Sequence, residues 1–235
     1  MSMNILSING TPLADIYVDA SLAFNKPVKD VETFRVPGRS GDLVIDNKTF
    51  QNVMISYPCF MFKGFPGKFD TLVNYLGSLE GYQRIECSND SAHFRLGVPV
   101  VPQAPSVKRI NQDGFFDLAF NCKPQRFLTS GETVVTKNAS GTITNPTSFA
   151  SQPLLRIYGT GTFTINGVAI TVASHGQSYV DVDCEMMDCY NGATSLNQYV
   201  SFSGNDFPTL APGSNSFTFG TGITQVRITP RWWEL

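Results

Sequence analysis

The sequence predicts a mainly β protein built as two successive domains, and three observations carry that reading. Apolar residues recur with period two through many short segments, separated by Asn-Gly, Pro-Gly and similar turn pairs. Only one segment, Phe69 to Leu79, switches to a helical period. A run rich in Thr, Ser, Asn and Gly at 129–152 interrupts the strand pattern. Its composition predicts a linker (131–152) between an N-terminal β domain, 1–130, and a C-terminal β-sandwich, 153–235. A chain of 235 residues suits two domains better than one.

Taken in order, Ile5 to Ile8 and Ile16 to Val18 read as strands around an Asn9-Gly10 turn. Phe34 and Val36 lead into the loop Pro37-Gly38-Arg39-Ser40-Gly41-Asp42, and Leu43 to Ile45 resumes β character. Val53 to Phe62 is an apolar strand containing Pro58, which predicts an edge or a bulge there because proline cannot donate to a ladder. Phe69, Leu72, Val73, Leu76 and Leu79 share one helical face, with Pro66-Gly67 leading in and Gly81 as a stop signal. One such helix is most simply a lid on a sheet. In the strand Phe115 to Cys122, Phe116, Leu118, Phe120 and Cys122 face one way. The loop Pro102 to Gln112 is long enough for an exposed arm or crossover.

In the second half, Asn166-Gly167 predicts a two-residue hairpin that turns Phe163, Ile165, Val168, Ile170 and Val172 to a common core. Tyr179 to Met186 alternates, with Val180, Val182, Cys184 and Met186 opposite Tyr179, Asp181, Asp183 and Glu185. Further strands at Tyr199–Phe202, Asn215–Phe219 and Thr224–Thr229, divided by turns including Asn205-Asp206, fit a sandwich.

Charged residues make up 15 %, well under the usual quarter. With 18 Phe and 20 Gly, this implies surface covered in an assembly, unless a Phe-rich β core alone accounts for it. Net charge −2 gives no basic excess for reading DNA, though DNA passing loosely through a pore is compatible. The odd set Cys59, Cys87, Cys122, Cys184 and Cys189 is expected reduced and mostly buried, as in a chain made in a cytosol. The N-terminus shows no signal-peptide pattern, and no apolar run has the length of a membrane span.

The two histidines, His93 and His175, have no local nucleophile motif, so no catalytic residues are assigned. Asp181, Asp183, Glu185 and Asp188 could hold a hard cation or act as paired carboxylates, but without a calcium-loop pattern a solvated outer strand face is the expectation. Cys184 and Cys189 lack the partners of a zinc site. No metal or cofactor is assigned, and Gly159-Thr160-Gly161 precedes no helix that would make it a phosphate loop. Candidate subunit or partner contacts are Arg39 and Asp42 at a hairpin tip, Lys108 and Arg109 in the long loop, and Trp232 and Trp233. Adjacent residues in a strand face opposite sides, so one of these two tryptophans needs cover beyond a single core, with packing inside the chain as the plain answer.

Several segments together resemble one family. Asn145-Pro146-Thr147 through Gln152-Pro153-Leu154-Leu155-Arg156-Ile157-Tyr158-Gly159-Thr160-Gly161 is similar to the start of the C-terminal domain of siphophage distal tail proteins, the Dit family. Tyr179 to Glu185, the turn Phe207-Pro208-Thr209-Leu210-Ala211-Pro212-Gly213-Ser214-Asn215, and Ile228 to Trp233 follow in the family's order. Val36 to Asp42, the helix and Phe120-Asn121-Cys122-Lys123-Pro124 fit in the first half. The resemblance implies an N-terminal β-sandwich with one helix and a hairpin arm, then a galectin-like β-sandwich. It implies a homo-hexameric ring at the distal end of a long non-contractile tail in the virion. Such a ring joins the tail tube protein to a tail-tip protein, carries receptor-binding or baseplate proteins and leaves a channel for DNA. It implies no enzyme and no membrane partner. The alternative is a tail carbohydrate-binding module that touches the host wall through Trp232 or Trp233; a wall-digesting enzyme comes third.

Overall fold

The computed structural model describes every residue except 1–3, 19–23, 63, 103–105, 110–112 and 205, and except the side chains of 66 and 106–109. The chain divides into two compact units, Met1–Arg126 with Leu235, and Phe127–Glu234. The architecture is mainly β with one α-helix, as the alternating segments predict.

In the first unit, β1 (Asn4–Ile8) and β2 (Thr11–Val18) meet at Asn9 and Gly10, both left-handed at φ 51° and 76°. A type I′ hairpin demands that conformation at both positions. β3 (Lys29–Phe34) and β4 (Leu43–Phe50) form a two-stranded sheet of their own. β5 (Val53–Met61), α1 (Phe65–Gly77), β6 (Gln83–Cys87), β7 (His93–Val100), β8 (Ser106–Arg109) and β9 (Asp113–Leu128) follow. The main sheet runs β9-β5-β2-β1-β6-β7, and β7 pairs back onto β9. One sheet closing on itself therefore supplies both layers around this core. The inward sets are those the period-two pattern selects: Ile55, Tyr57, Cys59 and Met61 on β5, and Phe116, Leu118, Phe120 and Cys122 on β9.

Pro58 sits on β5, which pairs with β2 and β9, and stands opposite Asp117 of β9. β2 covers β5 only over Cys59–Met61, and its described pairing ends at Val18–Cys59, beside the proline. The long loop 102–112 is not wholly irregular: β8 pairs with β9 there, while 103–105 and 110–112 lie outside the described residues.

α1 starts with proline in its first turn, where an N–H would be unpartnered anyway. It ends at Gly77 with Ser78 as C-cap, short of the expected stop at Gly81, and the Ser78 N–H closes the last turn onto Asn74 O at 3.1 Å. Phe69, Leu72 and Leu76 are buried, and Phe65 and Phe69 lay their rings near Phe116 at 6.4 and 5.2 Å between centroids. Gly114 permits this approach, since a Cβ there would stand 2.0 Å from the Phe65 ring.

The second unit has two sheets. β10 (Val135–Lys137), β12 (Leu154–Gly159), β15 (Val180–Asp183), β16 (Asp188–Asn191), β17 (Thr194–Ser195) and β20 (Ile223–Thr229) form one, in the order β10-β20-β12-β15-β16-β17. β11 (Gly141–Asn145), β13 (Gly161–Ile165), β14 (Val168–Val172), β18 (Val200–Phe202) and β19 (Gly213–Phe219) form the other, in the order β11-β19-β13-β14-β18. Leu155, Ile157, Val180, Val182, Val226 and Ile228 from the first share one core with Phe163, Ile165, Ile170, Val172 and Phe217 from the second. The hairpin turn falls on Asn166 (φ 47°) and Gly167 (φ 85°), with Ile165 opposite Val168.

Two expectations are corrected here. Residues 131–152 are no free linker: β10 and β11 are strands of the two sheets, and Ile143, Asn145 and Ser151 are buried. The two buried polar side chains are satisfied within the chain, Asn145 by Phe149 O and Leu210 O and Ser151 by Pro230 O. The alternation expected up to Met186 ends at Asp183, after which the chain turns, leaving Met186 and Met187 about two-thirds exposed. Among the described residues no helix is long and apolar enough to cross a membrane.

Candidate functional site

The β3–β4 hairpin is the most exposed ordered element of the chain's first unit. Residues opposite one another share a face, so Phe34 with Leu43 and Glu32 with Ile45 line one side, and Thr33 with Val44 and Val31 with Asp46 the other. Every residue from 31 to 49 is exposed, Phe34 at 48 % and Val44 at 58 %. Apolar side chains thus project from both faces of a ribbon that no core of the described chain covers. Local polar bonds hold its shape. Gln51 N–H donates to Val28 O (2.9 Å), and Asp30 accepts from Asn47 (3.2 Å), Thr49 (3.3 Å) and Gln51 (3.3 Å). Asp46 accepts from Lys48 N–H (2.8 Å) and pairs with Lys29. These contacts hold both carboxyls below their usual range, the Asn47 bond weighing most at Asp30 and the Lys29 bond at Asp46. Arg39 and Asp42 lie in the exposed tip, as expected.

In the second unit, a cross-sheet row runs Thr136–Arg227–Arg156–Asp181–Tyr190. Asp181 is 3 % exposed and receives both Arg156 Nε (2.7 Å) and Nη2 (2.8 Å). Asp183, 1 % exposed, receives Arg231 Nη1 (2.7 Å) and Nη2 (2.9 Å), together with the Glu185 and Met186 N–H groups. Burial pushes the Asp183 pKa up, but these donors outweigh it and leave the group below its ordinary value. The expectation of a solvated acidic face is therefore corrected for Asp181 and Asp183, which are buried and clamped by arginines, while Glu185 and Asp188 stay half-exposed, and no group of metal-binding side chains is formed among the described residues. Nothing local foretold this, because the arginines arrive from 25 and 48 residues away. Arg156 lies over the Tyr179 ring (4.1 Å) and Arg227 over Tyr158 (5.5 Å). Beside this row Val134, Thr136, Leu154, Arg227 and Thr229 border an open groove of about 440 Å³.

The remaining singled-out residues separate clearly. Trp232 is 5 % exposed inside the second core, so its ring offers no partner surface, and that assignment is corrected. Trp233 stacks on Phe149 at 4.4 Å and donates its indole N–H to Ala150 O at 2.9 Å. The side chains of Lys108 and Arg109 lie outside the described residues. His175 accepts from Gln177 N–H at 3.2 Å, while His93 meets Asp90 at 2.7 Å. All five cysteines are buried free thiols, and burial pushes Cys59, Cys184 and Cys189 up to about 12, leaving them inert as nucleophiles.

Asn145 and Asn215 are structural joints. Asn145 donates to Phe149 O (2.8 Å) and Leu210 O (3.0 Å) and accepts from Thr147 N–H (2.9 Å). Asn215 donates to Ala211 O and Gly213 O, both at 2.9 Å, and accepts from Asn166 (2.6 Å). Each asparagine ties a turn to a strand end.

No protein-family model matches the sequence, and no curated protein matches it. Solved structures do match. The SPP1 Dit protein, described as a paradigm of the hub adsorption apparatus in phages infecting Gram-positive bacteria, superposes with TM-score 0.67 at 12 % identity, over 97 % of this chain and 98 % of that one. A chain of the phage P2 baseplate in its activated conformation with calcium gives TM-score 0.53 at 8 % identity, over 97 % and 98 %. From end to end, the chain has the fold of a siphophage Dit protein.

Proposed function

We propose that this chain is a structural virion protein, the hub of a siphophage distal tail, and that its first unit assembles six copies into a ring. The fold likeness supports a hub or baseplate role. The observation that carries the ring is the β3–β4 hairpin, with aliphatic and aromatic side chains bare on both faces. Such a ribbon gains stability when its two faces are buried between neighbours. A heterologous contact of arm to neighbour closes into a ring when the rotation suits. In this reading the ring joins the tail tube to a tail-tip protein and leaves a channel for DNA. The second unit carries receptor-binding or baseplate proteins on its outer surface. The chain performs no catalysis. The alternative of sugar stacking on the tryptophans loses its basis with Trp232 in the core and Trp233 covered by Phe149.

The test is native mass spectrometry with negative-stain imaging of the full chain. Six-fold rings are expected. A monomer throughout the micromolar range overturns the ring.

A further inference from the structure

The outer face of the first unit's main sheet carries a row of large apolar side chains. Ile5 on β1 stands opposite Tyr17 on β2, Tyr17 opposite Phe60 on β5, and Phe60 opposite Phe115 on β9. Phe62, just past β5, joins the row, its ring 5.2 Å from Phe60 and 5.9 Å from Tyr17. The sequence neighbours Ile16, Met61 and Phe116 point the other way and fill the core. Tyr17 and Phe60 are half-buried, and Ile5, Phe62 and Phe115 are each about two-fifths exposed. An antiparallel sheet with one face in water commonly places polar residues there. This one places an aromatic ledge four strands wide, about 14 Å at the usual strand spacing.

The same chain carries a matching surface. On β3–β4, Phe34, Leu43 and Ile45 project from one face and are all exposed. Two strands about 5 Å apart, with their side chains, fit on a ledge of that width. The charges match as well. Asp117 follows Phe115 on the outward face of β9, exposed and without an ion pair among the described residues. Arg35 and Arg39, at the free end of the hairpin, are exposed and equally without one. Glu32, the carboxylate on the Phe34 face, lies at the other end, away from the tip. Each chain has one hairpin and one ledge, so contacts closed head to tail pair every hairpin with a ledge. A ledge given over to a different protein leaves every hairpin bare.

We propose that this ledge seats the β3–β4 hairpin of a second copy of the chain and covers its Phe34–Leu43–Ile45 face. The proposal rests on the ring reading and names the surface that completes its contact. Apolar burial supplies the affinity. The exposed charges of Asp117 and the tip arginines contribute little energy and chiefly set the register.

The test begins with native mass spectrometry of the full parent chain and then joins the two surfaces chemically. Leu43→Cys and Phe62→Cys are placed in separate chains, co-expressed with different tags, and treated with a short bismaleimide. The five native thiols are buried and do not compete. A covalent product containing one chain of each kind is expected, with none from either variant alone. A second variant, I5S/F62S, is expected to keep the parental circular dichroism and to lose rings by about tenfold or more at the concentration where the parent forms them. Rings that yield no mixed product, or that persist in I5S/F62S, overturn the ledge and leave the ring standing. A product from L43C alone also overturns the ledge, by placing hairpin against hairpin. A monomeric parent overturns the ring itself, and the ledge with it.

Discussion

Two hairpins of this chain obey the same local rules and meet opposite fates. β13–β14 turns on Asn166-Gly167 and sends Phe163, Ile165, Ile170 and Val172 into a core where each is at most 2 % exposed. β3–β4 is as rich in aliphatic and aromatic residues, but leaves Phe34, Val44 and Ile45 nearly half exposed or more, on both faces. The difference teaches that strand propensity and burial are separate demands. β13–β14 is ordered by what the chain itself supplies. β3–β4 is ordered by its ladder and a collar of polar bonds around Asp30 and Asp46, and no core of the described chain covers its apolar surface.

The comparison is broken most forcefully inside the second core. Phe163→Ala removes a ring with 0 % exposure and is expected to cost about 3–5 kcal/mol. Urea unfolding monitored by tryptophan fluorescence measures it, both tryptophans being in that unit. A loss below about 1 kcal/mol means the two hairpins are not as different as their burial says.

Next in size is Asp183→Asn, which strands Arg231 beside a neutral amide. Breaking a buried pair costs about 3–5 kcal/mol, and about 2–3 is expected here because the arginine is partly exposed. The sign of the pH dependence follows from the depressed carboxyl. Its stabilisation is complete above the unfolded pKa near 3.8 and is lost as pH falls through the lower folded value. Acid titration of the tryptophan signal should therefore show parent protein losing stability below about pH 4 more steeply than D183N. Parallel curves mean the Arg231 contact contributes nothing.

Gly114→Ala tests the first unit. The new methyl would stand within 2.0 Å of the Phe65 ring, so helix α1 must move, at a cost of about 1–3 kcal/mol. Faster hydrogen exchange over 65–77 is the expected readout. Unchanged exchange means Phe65 has room to turn aside.

These residues also mark what the sequence makes legible. Period-two alternation located Phe116, Leu118, Phe120 and the Asn166-Gly167 hairpin because a half-buried strand writes its faces locally. The helical stripe from Phe69 to Leu76 is equally local. The burial of Asp181 and Asp183 is not legible locally, because it depends on Arg156 and Arg231, distant in the chain. The segment 131–152 looked like a linker because Thr, Ser and Asn dominate it. Its order depends on bonds such as Ser151 Oγ to Pro230 O at 2.7 Å, which only the folded chain brings together. The sequence reads strand character at Phe34 and Val36 and at Leu43–Ile45 around a Gly-rich tip, with a turn at Asp46-Asn47; the strands are instead Lys29–Phe34 and Leu43–Phe50, with Asp46 and Asn47 inside the second, and nothing in a local pattern says that neither face is covered.

The smallest effect on stability carries the most functional weight. Phe34 and Leu43 lie opposite one another on one exposed face of the β3–β4 ribbon. Replacing both with serine removes apolar surface already in water, so unfolding free energy should stay within about 0.5 kcal/mol of the parent. Oligomerisation should respond in the opposite measure. If neighbouring copies bury these side chains, each substitution removes apolar burial at every contact of the ring, and the effect multiplies around a closed assembly. Native mass spectrometry of F34S/L43S is expected to find monomers where the parent forms rings, with unchanged circular dichroism. Rings of parental stability in this variant would move the subunit contact to another surface. Unfolded monomers would show instead that the ribbon's apolar residues support their own chain, which erases the contrast with β13–β14.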